Sequence, residues 1–234
     1  MARIFVTGDI HGDYDIGKVS TRRWPLQKEL CKKDYLIILG DAGIVWNNSH
    51  KDRYIQKWWQ DKTFTTLFVD GNHENHDALA QYPVEIWNGG KIHRISESVI
   101  HLMRGQVFTI GGLRFFTMGG ADSVDKAYRR PFVSWWPQEL PTVAEYDEAL
   151  RNLEAAGMQV DYVLTHDCGA RYYPRLCTGK GIHAINGFFD RLEFEEKLQF
   201  THWYFGHHHK DADLDSRHTV VYDRVIELPE QEIG

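Results

Sequence analysis

The sequence predicts an α/β fold. Five short apolar runs, each followed by glycine, aspartate or histidine, have the length and composition of buried strands. Helix-like stretches separate the early and the late runs, whereas the middle of the chain is rich in closely spaced β-like runs. This alternation is typical of α/β proteins. No linker rich in proline, glycine or serine interrupts the sequence, so residues 1–234 are expected to form one domain.

The predicted strands share an apolar body and a polar C-terminal end. In chain order they are Arg3–Thr7 before Gly8-Asp9, Tyr35–Leu39 before Gly40-Asp41, Thr65–Val69 before Asp70-Gly71, Tyr162–Leu164 before Thr165-His166, and Trp203–Phe205 before Gly206-His207. In open α/β sheets, ligands gather beyond the carboxyl ends of the strands. Residues distant in sequence are therefore expected to converge there.

The clearest predicted helix covers Thr142–Ala156. Thr142 and Glu145 form the signature of a capping box, apolar residues repeat at helical spacing, and Gly157 supplies the stop. Further helices are predicted over Pro25–Lys32, Lys51–Gln60 and Phe188–Leu198.

The β-rich parts lie in the middle and at the end of the sequence. Ile92–Met118 is predicted to be a strand meander with a hairpin turn at Gly111-Gly112. Thr219–Tyr222 and Val225–Leu228 are predicted to pair as a closing hairpin through Asp223-Arg224.

Composition excludes a disordered chain and disfavours general nucleic-acid binding. Apolar residues make up 42% of the sequence, and 27 lysines and arginines against 33 aspartates and glutamates give a net charge of −6. A binder of duplex backbone needs concentrated positive charge, whereas basic residues here form only short doublets. A phosphate ligand would need bound metal to attract it.

Cysteine usage and the N-terminal sequence predict a cytoplasmic protein. Cys31, Cys168 and Cys177 are widely spaced and form no CxxC pair, which indicates neither a disulfide framework nor a cysteine zinc site. The first residues enter a β-like segment directly, and no apolar stretch reaches the roughly 18 residues of a membrane span.

Candidate metal ligands concentrate at the predicted strand ends. Two carboxylates, one amide and four imidazoles would make a mixed oxygen and nitrogen site for two ions, with one further histidine, His73, to spare. These candidates are Asp9, His11, Asp41, Asn72, His166, His207 and His209. Residues two apart in an extended segment point to the same side, so His208 is expected to point away from the site.

The ordered motifs DxH, GD, GNHE, an isolated histidine and GHxH resemble those of the calcineurin-like metallophosphoesterases, and all five occur between residues 8 and 209. The resemblance implies a four-layered α/β sandwich, in which two packed mixed β-sheets are flanked by helices. It also implies metal-dependent hydrolysis of phosphate mono- or diesters.

The same resemblance implies a role for each candidate residue. Asp9, His11 and His209 would bind one ion, Asn72, His166 and His207 would bind the other, and Asp41 would bridge them. A hydroxide between the ions would attack phosphorus, and His73 would act as general acid or electrostatic partner of the leaving group. Manganese, iron, zinc, nickel or cobalt would suit these ligands.

Two departures disfavour the protein phosphatase branch of that family. The second motif reads Gly40-Asp41-Ala42-Gly43 where that branch usually has GDxVDRG, and Asp70 stands where an arginine usually precedes GNHE. The segment 119–136 offers Arg129 or Arg130 as a replacement phosphate clamp, beside Trp135-Trp136. Arginines in water and tryptophans packed under a loop are the alternative interpretation of this segment.

A catalytically inactive scaffold that binds a protein partner is the alternative to an enzyme. Such a scaffold predicts erosion at Asn72, His73 or the GHxH motif, and all three are intact. Within enzymes, phosphomonoesters, phosphoproteins, phosphodiesters and dinucleoside polyphosphates all stay open as substrates.

Overall fold

The computed structural model describes residues 2–176 and 181–229, so Cys177 lies outside the described residues. The described strands are β1 (Ile4–Thr7), β2 (Tyr35–Leu39), β3 (Thr65–Val69), β4 (Val84–Trp87), β5 (Gly90–Ser96), β6 (Val99–Leu102), β7 (Gln106–Ile110), β8 (Leu113–Met118), β9 (Tyr162–Thr165), β10 (His202–Phe205), β11 (Ala212–Asp213), β12 (His218–Val220) and β13 (Val225–Glu227). The described helices are α1 (His50–Gln60), α2 (His76–Leu79), α3 (Val143–Ala155), α4 (Tyr173–Leu176) and α5 (Ala184–Phe194). None of these helices is long and apolar enough to cross a membrane.

The strands form two mixed sheets. The seven-stranded sheet has the order β13-β1-β2-β3-β6-β5-β4, and the six-stranded sheet has the order β11-β12-β10-β9-β8-β7. The strands β1, β2, β3 and β6 run parallel, as do β8, β9, β10 and β12, while the remaining pairs at the edges are antiparallel. The predicted α/β fold with two mixed sheets is confirmed.

Three apolar clusters hold the layers together. One lies between the sheets and includes Val6 and Leu39 from one sheet and Leu164 from the other. A second covers the outer face of the seven-stranded sheet, where Trp59 of α1 packs. The third covers the outer face of the six-stranded sheet with α3 and α5, for example through Leu153. The clusters therefore separate four layers, helix, sheet, sheet and helix, as the resemblance to the metallophosphoesterases implied.

The helix predictions are confirmed in part. The threonine at the start of α3 forms the predicted capping box, in which Thr142 and Glu145 bond reciprocally. The stretch predicted as a helix over Pro25–Lys32 is only a short 3₁₀ turn, Pro25–Glu29. Helix α5 begins four residues before its predicted start, because a reciprocal cap between His183 and Asn186 fixes the first turn.

The predicted meander is split between the two sheets. The turn at Gly111-Gly112 joins β7 to β8, and both glycines have positive φ angles, +61° and +88°, which suit a tight hairpin. Strands β5 and β6, however, belong to the seven-stranded sheet. The prediction of β-structure over Ile92–Met118 is right, and its single-meander form is wrong.

The predicted closing hairpin is wrong. Strand β12 pairs with β10 and β11, whereas β13 pairs with β1 in the other sheet. The chain crosses between the sheets at residues 222–224, where the Asp211 carboxylate accepts backbone N–H groups of Tyr222, Asp223 and Arg224. Because these N–H groups find an acceptor outside a β-sheet, β12 and β13 can belong to different sheets.

Candidate metal centre

The predicted ligands follow five strands that come from both sheets. Asp9, Asp41 and Asn72 lie just beyond β1, β2 and β3 of the seven-stranded sheet, and His166 and His207 lie just beyond β9 and β10 of the other. The two groups meet at one end of the sandwich. Gly40 allows this approach, because a Cβ atom there would lie only 2.0 Å from Nδ1 of His166.

The backbone at the site is strained. His11, Asp41, His207 and His209 all have positive φ angles, between 48° and 64°. Non-glycine residues rarely adopt this left-handed conformation, and such residues cluster at functional sites, where the surrounding structure holds them in place. Here the strain turns four candidate ligands toward one space.

Asp41 lies at the centre of the arrangement. Its Oδ2 is 3.3 Å from Nε2 of His11, and its Oδ1 is 3.4 Å from Nε2 of His166. The backbone N–H of His73 donates to the same Oδ1 at 2.7 Å. Burial opposes ionisation of Asp41, but the neighbouring His166 and His11 outweigh it and hold the pKa of this carboxyl well below its usual range. Its two oxygens therefore face histidines from the two predicted ligand groups.

The first group consists of Asp9, His11 and His209. Oδ2 of Asp9 is buried and lies 3.0 Å from Nε2 of His209, in an ion-pair contact. Although burial works against it, the histidines around Asp9 lower its pKa to about 2. Nδ1 of His11 lies 2.7 Å from the Asp15 carboxylate, which leaves Nε2 facing the centre.

The second group consists of Asn72, His166 and His207. Nδ1 of His166 donates to the carbonyl of Leu39 at 2.7 Å, so Nε2 faces inward, 3.2 Å from Oδ1 of Asn72. The His166 and His207 rings are 5.0 Å apart between centroids. Burial disfavours a charged His166, but Asp41 and Asp9 raise its pKa to about 10.

The donor atoms fit divalent metal ions. Within three overlapping triads the donor atoms all lie within 4.8 Å of one another: Asp9–His11–His209, Asp9–Asp41–His166 and His11–Asp41–His73. The carboxylates raise the pKa values of His11, to about 9, and of His166, which shows that this space stabilises positive charge. The buried Asp9 carboxylate and the surrounding imidazoles form a mixed donor set that suits a borderline transition-metal ion.

His73 lies at the edge of this cluster, 5.4 Å from the His11 ring. Nη2 of Arg129 lies 2.6 Å from Nε2 and 2.9 Å from Nδ1 of His73, and Nε of Arg129 is paired with Asp125 at 2.8 Å. Burial and the Arg129 guanidinium lower the pKa of His73, although the Asp41 carboxylate acts to raise it. Of the two arginines predicted as a phosphate clamp, Arg129 reaches the centre, whereas Arg130 is exposed.

Two neighbouring residues of the motifs face away from the donor atoms. Nε2 of His208 lies 3.0 Å from the buried Asp167 carboxylate, as the spacing predicted for a residue outside the site. Glu74 is buried, and its Oε1 accepts the backbone N–H of Ala42 at 2.7 Å. Glu74 therefore fixes the loop that carries Asp41, rather than the imidazole of His73.

Sequence reasoning missed a chain of contacts behind Asn72. Nδ2 of Asn72 donates to the hydroxyl of Ser123 at 3.1 Å, and that hydroxyl donates to Oε2 of Glu139 at 2.6 Å. The backbone N–H of Ser123 donates to Oε1 of the same carboxylate at 2.9 Å. The chain leaves Oδ1 of Asn72 turned toward His166. Neither Ser123 nor Glu139 belongs to a motif, so only the folded loop reveals them.

Neither tryptophan of the pair Trp135-Trp136 is exposed. Trp136 is buried, its indole N–H donates to Asp77 at 2.9 Å, and its ring packs against Trp46 at 5.3 Å between centroids. Trp135 is half-buried. Trp136 therefore packs under the loop, in agreement with the alternative interpretation of this segment.

Comparison with known proteins gives one family. A family model for calcineurin-like phosphoesterases matches residues 2–211, a range that contains all five motifs. No curated protein matches the sequence. Among solved structures, the chain is similar to a phosphopantetheinyl hydrolase from Mycobacterium tuberculosis, with 14% sequence identity and a TM-score of 0.42; the match covers 100% of this chain and 99% of that one.

Proposed function

The chain belongs to the calcineurin-like phosphoesterase family and is a metal-dependent phosphoric ester hydrolase, and on this basis we propose that it hydrolyses a phosphate mono- or diester with two divalent ions held at the candidate metal centre. The observation that carries the proposal is the position of Asp41. One oxygen faces His11 and the other faces His166, at 3.3 and 3.4 Å.

Seven side chains would hold the ions. Asp9, His11 and His209 would bind one, and Asn72, His166 and His207 would bind the other, with Asp41 shared between them. Two such ions lower the pKa of a water molecule between them and stabilise negative charge on the phosphoryl oxygens. The ligands fit manganese, iron, zinc, nickel or cobalt, and manganese is the first to test.

His73 and Arg129 would serve the substrate. The Nη2 of Arg129 faces the His73 ring, so both groups can contact one phosphoryl ester placed at the edge of the centre. The guanidinium would bind the phosphate, and the imidazole would donate a proton or a hydrogen bond to the departing oxygen. Asp41 accepts the backbone N–H of His73, so a residue of the candidate centre also fixes the position of His73.

A metal-reconstituted hydrolysis assay tests the proposal. The metal-free protein, loaded in turn with each of the five ions, is offered aryl phosphate mono- and diesters, cyclic nucleotides and dinucleoside polyphosphates. We expect metal-dependent release of alcohol or phosphate from at least one ester. No hydrolysis of any of them by protein that carries two ions per chain would overturn the proposal.

The His73→Asn variant tests the role of the leaving-group histidine. We expect metal content to stay near that of the parent, while kcat falls by about 10²- to 10⁴-fold, because the departing oxygen loses its proton donor. Inductively coupled plasma mass spectrometry gives the metal content, and His50→Gln is the matched control, since His50 is an exposed histidine outside the centre. Full activity in metal-loaded His73→Asn protein would contradict this role.

A further inference from the structure

A cavity of about 610 Å³ opens beside the candidate metal centre. His11 and His73 line both the cavity and the centre, so a group bound in the cavity adjoins the reacting phosphate. Tyr14, Trp46 and Ile55 contribute apolar wall. The volume lies in the range of pockets that enclose drug-sized organic ligands. The cavity is therefore large enough for much more than a phosphate.

The charged side chains at the mouth of the cavity are already paired within the protein. Asp13 forms an ion pair with Lys51 at 2.7 Å. The Asp15 carboxylate lies 2.7 Å from Nδ1 of His11 and accepts the hydroxyl of Tyr222 at 3.0 Å. An anionic ligand group in this region would thus meet carboxylates and one already neutralised ammonium.

The remaining carboxylate of the lining is also satisfied. Oδ2 of Asp52 accepts the backbone N–H groups of Trp46, Asn47 and Asn48 at 2.7 to 2.9 Å. Among the described residues that line the cavity, Lys51 is the one lysine or arginine. Apart from the paired Lys51 and the histidines of the centre, the lining therefore offers no cation for a second phosphate or for the acidic part of a phosphopeptide.

What the cavity does offer is aromatic surface. Tyr14 is 84% exposed, and the Lys51 ammonium lies 5.9 Å from the centroid of its ring. Trp46 is half-buried, and its contact with Trp136 at 5.3 Å between centroids, with the rings at 85°, fixes the ring in the wall. Aromatic rings stack on flat, uncharged ring systems with little dependence on their detailed structure.

We propose that this cavity binds the leaving group of the substrate, and that this group is an uncharged organic alcohol that carries an aromatic ring. The inference rests on the proposed function, because it takes His73 to face the departing oxygen. Hydrolysis forms a bond between phosphorus and the oxygen of water and breaks the bond between phosphorus and the ester oxygen. The proton that the water loses balances the one that the departing alcohol gains.

Two phosphate monoesters test the inference in the metal-loaded protein. Ethyl phosphate and 2-naphthylmethyl phosphate release alcohols of similar acidity, so a difference between them reports binding of the ring rather than reactivity. We expect kcat/KM to be about 10- to 100-fold higher for the naphthylmethyl ester. Equal values for the two esters would overturn the inference and leave the proposed function intact, whereas hydrolysis of neither, nor of any ester in the wider panel, would overturn the function itself.

Substitutions of the aromatic residues that line the cavity test whether they cause the preference for the naphthylmethyl ester. In Tyr14→Ala and Trp46→Ala, the ratio of the two kcat/KM values should fall at least fivefold. Tyr14 is exposed, so its removal should not disturb folding even if the loss of Trp46, which packs on Trp136, does. Tyr54→Ala removes an exposed tyrosine outside the cavity and should leave the ratio unchanged. An unchanged ratio in Tyr14→Ala and Trp46→Ala would contradict the assignment.

Binding of the alcohol alone gives a readout that is independent of hydrolysis. We expect 2-naphthylmethanol to bind the metal-free protein in isothermal titration calorimetry and to bind Tyr14→Ala at least fivefold more weakly. If the alcohol does not bind, or if the parent, Tyr14→Ala and Trp46→Ala all bind it equally well, the aromatic ring binds outside this cavity.

Discussion

Asp41 shares one carboxylate between histidines that come from different sheets, and this makes it the residue with the broadest expected effect. His11 follows β1 and His166 follows β9, and each has its Nε2 within 3.4 Å of an Asp41 oxygen. Removing a negative charge there affects both donor groups at once.

For Asp41→Asn we therefore expect both ions to be lost together. Metal analysis after dialysis should show a fall at both positions, whereas His209→Gln should lower the occupancy of one. Loss of only one ion from Asp41→Asn would argue against a shared ligand. His50→Gln again serves as the control.

Ser123 is expected to act on Asn72 from behind. Its hydroxyl accepts from the Asn72 amide and donates to Glu139, so Ser123→Ala frees the amide to turn. Loss of a group that orients a ligand typically weakens metal affinity by about 10- to 100-fold. Titration of the metal-free protein with Mn²⁺ should show this weakening at one of two sites.

Rescue separates orientation of the amide from a general loss of stability. Ser123→Thr keeps the hydroxyl and should restore most of the affinity. If Ser123→Ala binds both ions as the parent does, Asn72 needs no such support.

Some residues of the candidate site could be predicted from the sequence and others could not. The acidic and histidine residues that the structure brings together stand in short motifs after strands, so their order and spacing were enough to select them as candidates. Choosing Arg129 over Arg130 required the fold, because the two are adjacent in sequence and only one reaches His73. Ser123 and Glu139 act through hydrogen bonds across a loop, which no local pattern encodes.

Helix α3 illustrates an element whose start is specified locally. The Thr142 hydroxyl accepts from the N–H of Glu145 at 3.3 Å, and the Glu145 carboxylate accepts from the N–H of Thr142 at 2.7 Å. All of these groups lie within four residues, so the sequence was sufficient to predict the cap. Helix α5 differs, because its start depends on a cap formed by a histidine and an asparagine, which the apolar pattern did not indicate.

For Thr142→Ala we expect the free energy of unfolding to fall by about 1 kcal/mol, because one backbone donor of the first turn loses its acceptor. Urea denaturation followed by circular dichroism measures the change. Thr142→Ser keeps the hydroxyl and should stay within a few tenths of 1 kcal/mol of the parent. A fall of the same size in both variants would exclude the cap as the cause.

At the scale of the whole molecule, strand pairing was the least predictable feature. The β-rich stretch and the C-terminal strands were located from composition, but their assignment to two sheets was not. Strand β13 pairs with β1, more than two hundred residues away, and β6 pairs with β3. Such partners are selected by apolar packing between layers, which a local turn signal does not report.

Two histidines buried behind the metal centre make the stability of the molecule depend on pH. Burial lowers the pKa of His76 to about 3, helped by Arg104, and that of His93 to about 4, helped by His101. In the unfolded chain both pKa values lie near about 6.5. As the pH falls below that value, the unfolded chain takes up protons that the folded chain does not, so these two groups favour unfolding in acid.

We therefore expect His93→Gln to reduce the acid dependence of stability. In metal-free protein, the free energy of unfolding of His93→Gln minus that of the parent should rise as the pH falls from 6.5 to 4.5. Above pH 7.5 this difference should stay constant. Urea denaturation at several pH values measures this difference, and His50→Gln should show none. A difference that does not vary with pH would mean that His93 has the same pKa in the folded and in the unfolded chain.

The predicted ligands follow strands in two separate sheets, so an ion held by them would be a cross-link as well as a cofactor. A cation coordinated from both sides would tie together two halves of the sandwich that also pack through their apolar faces. Substitutions in the layer between the sheets, far from any ligand, would then alter how tightly the metal is held. Selection on catalysis would act on the packing of the whole sandwich.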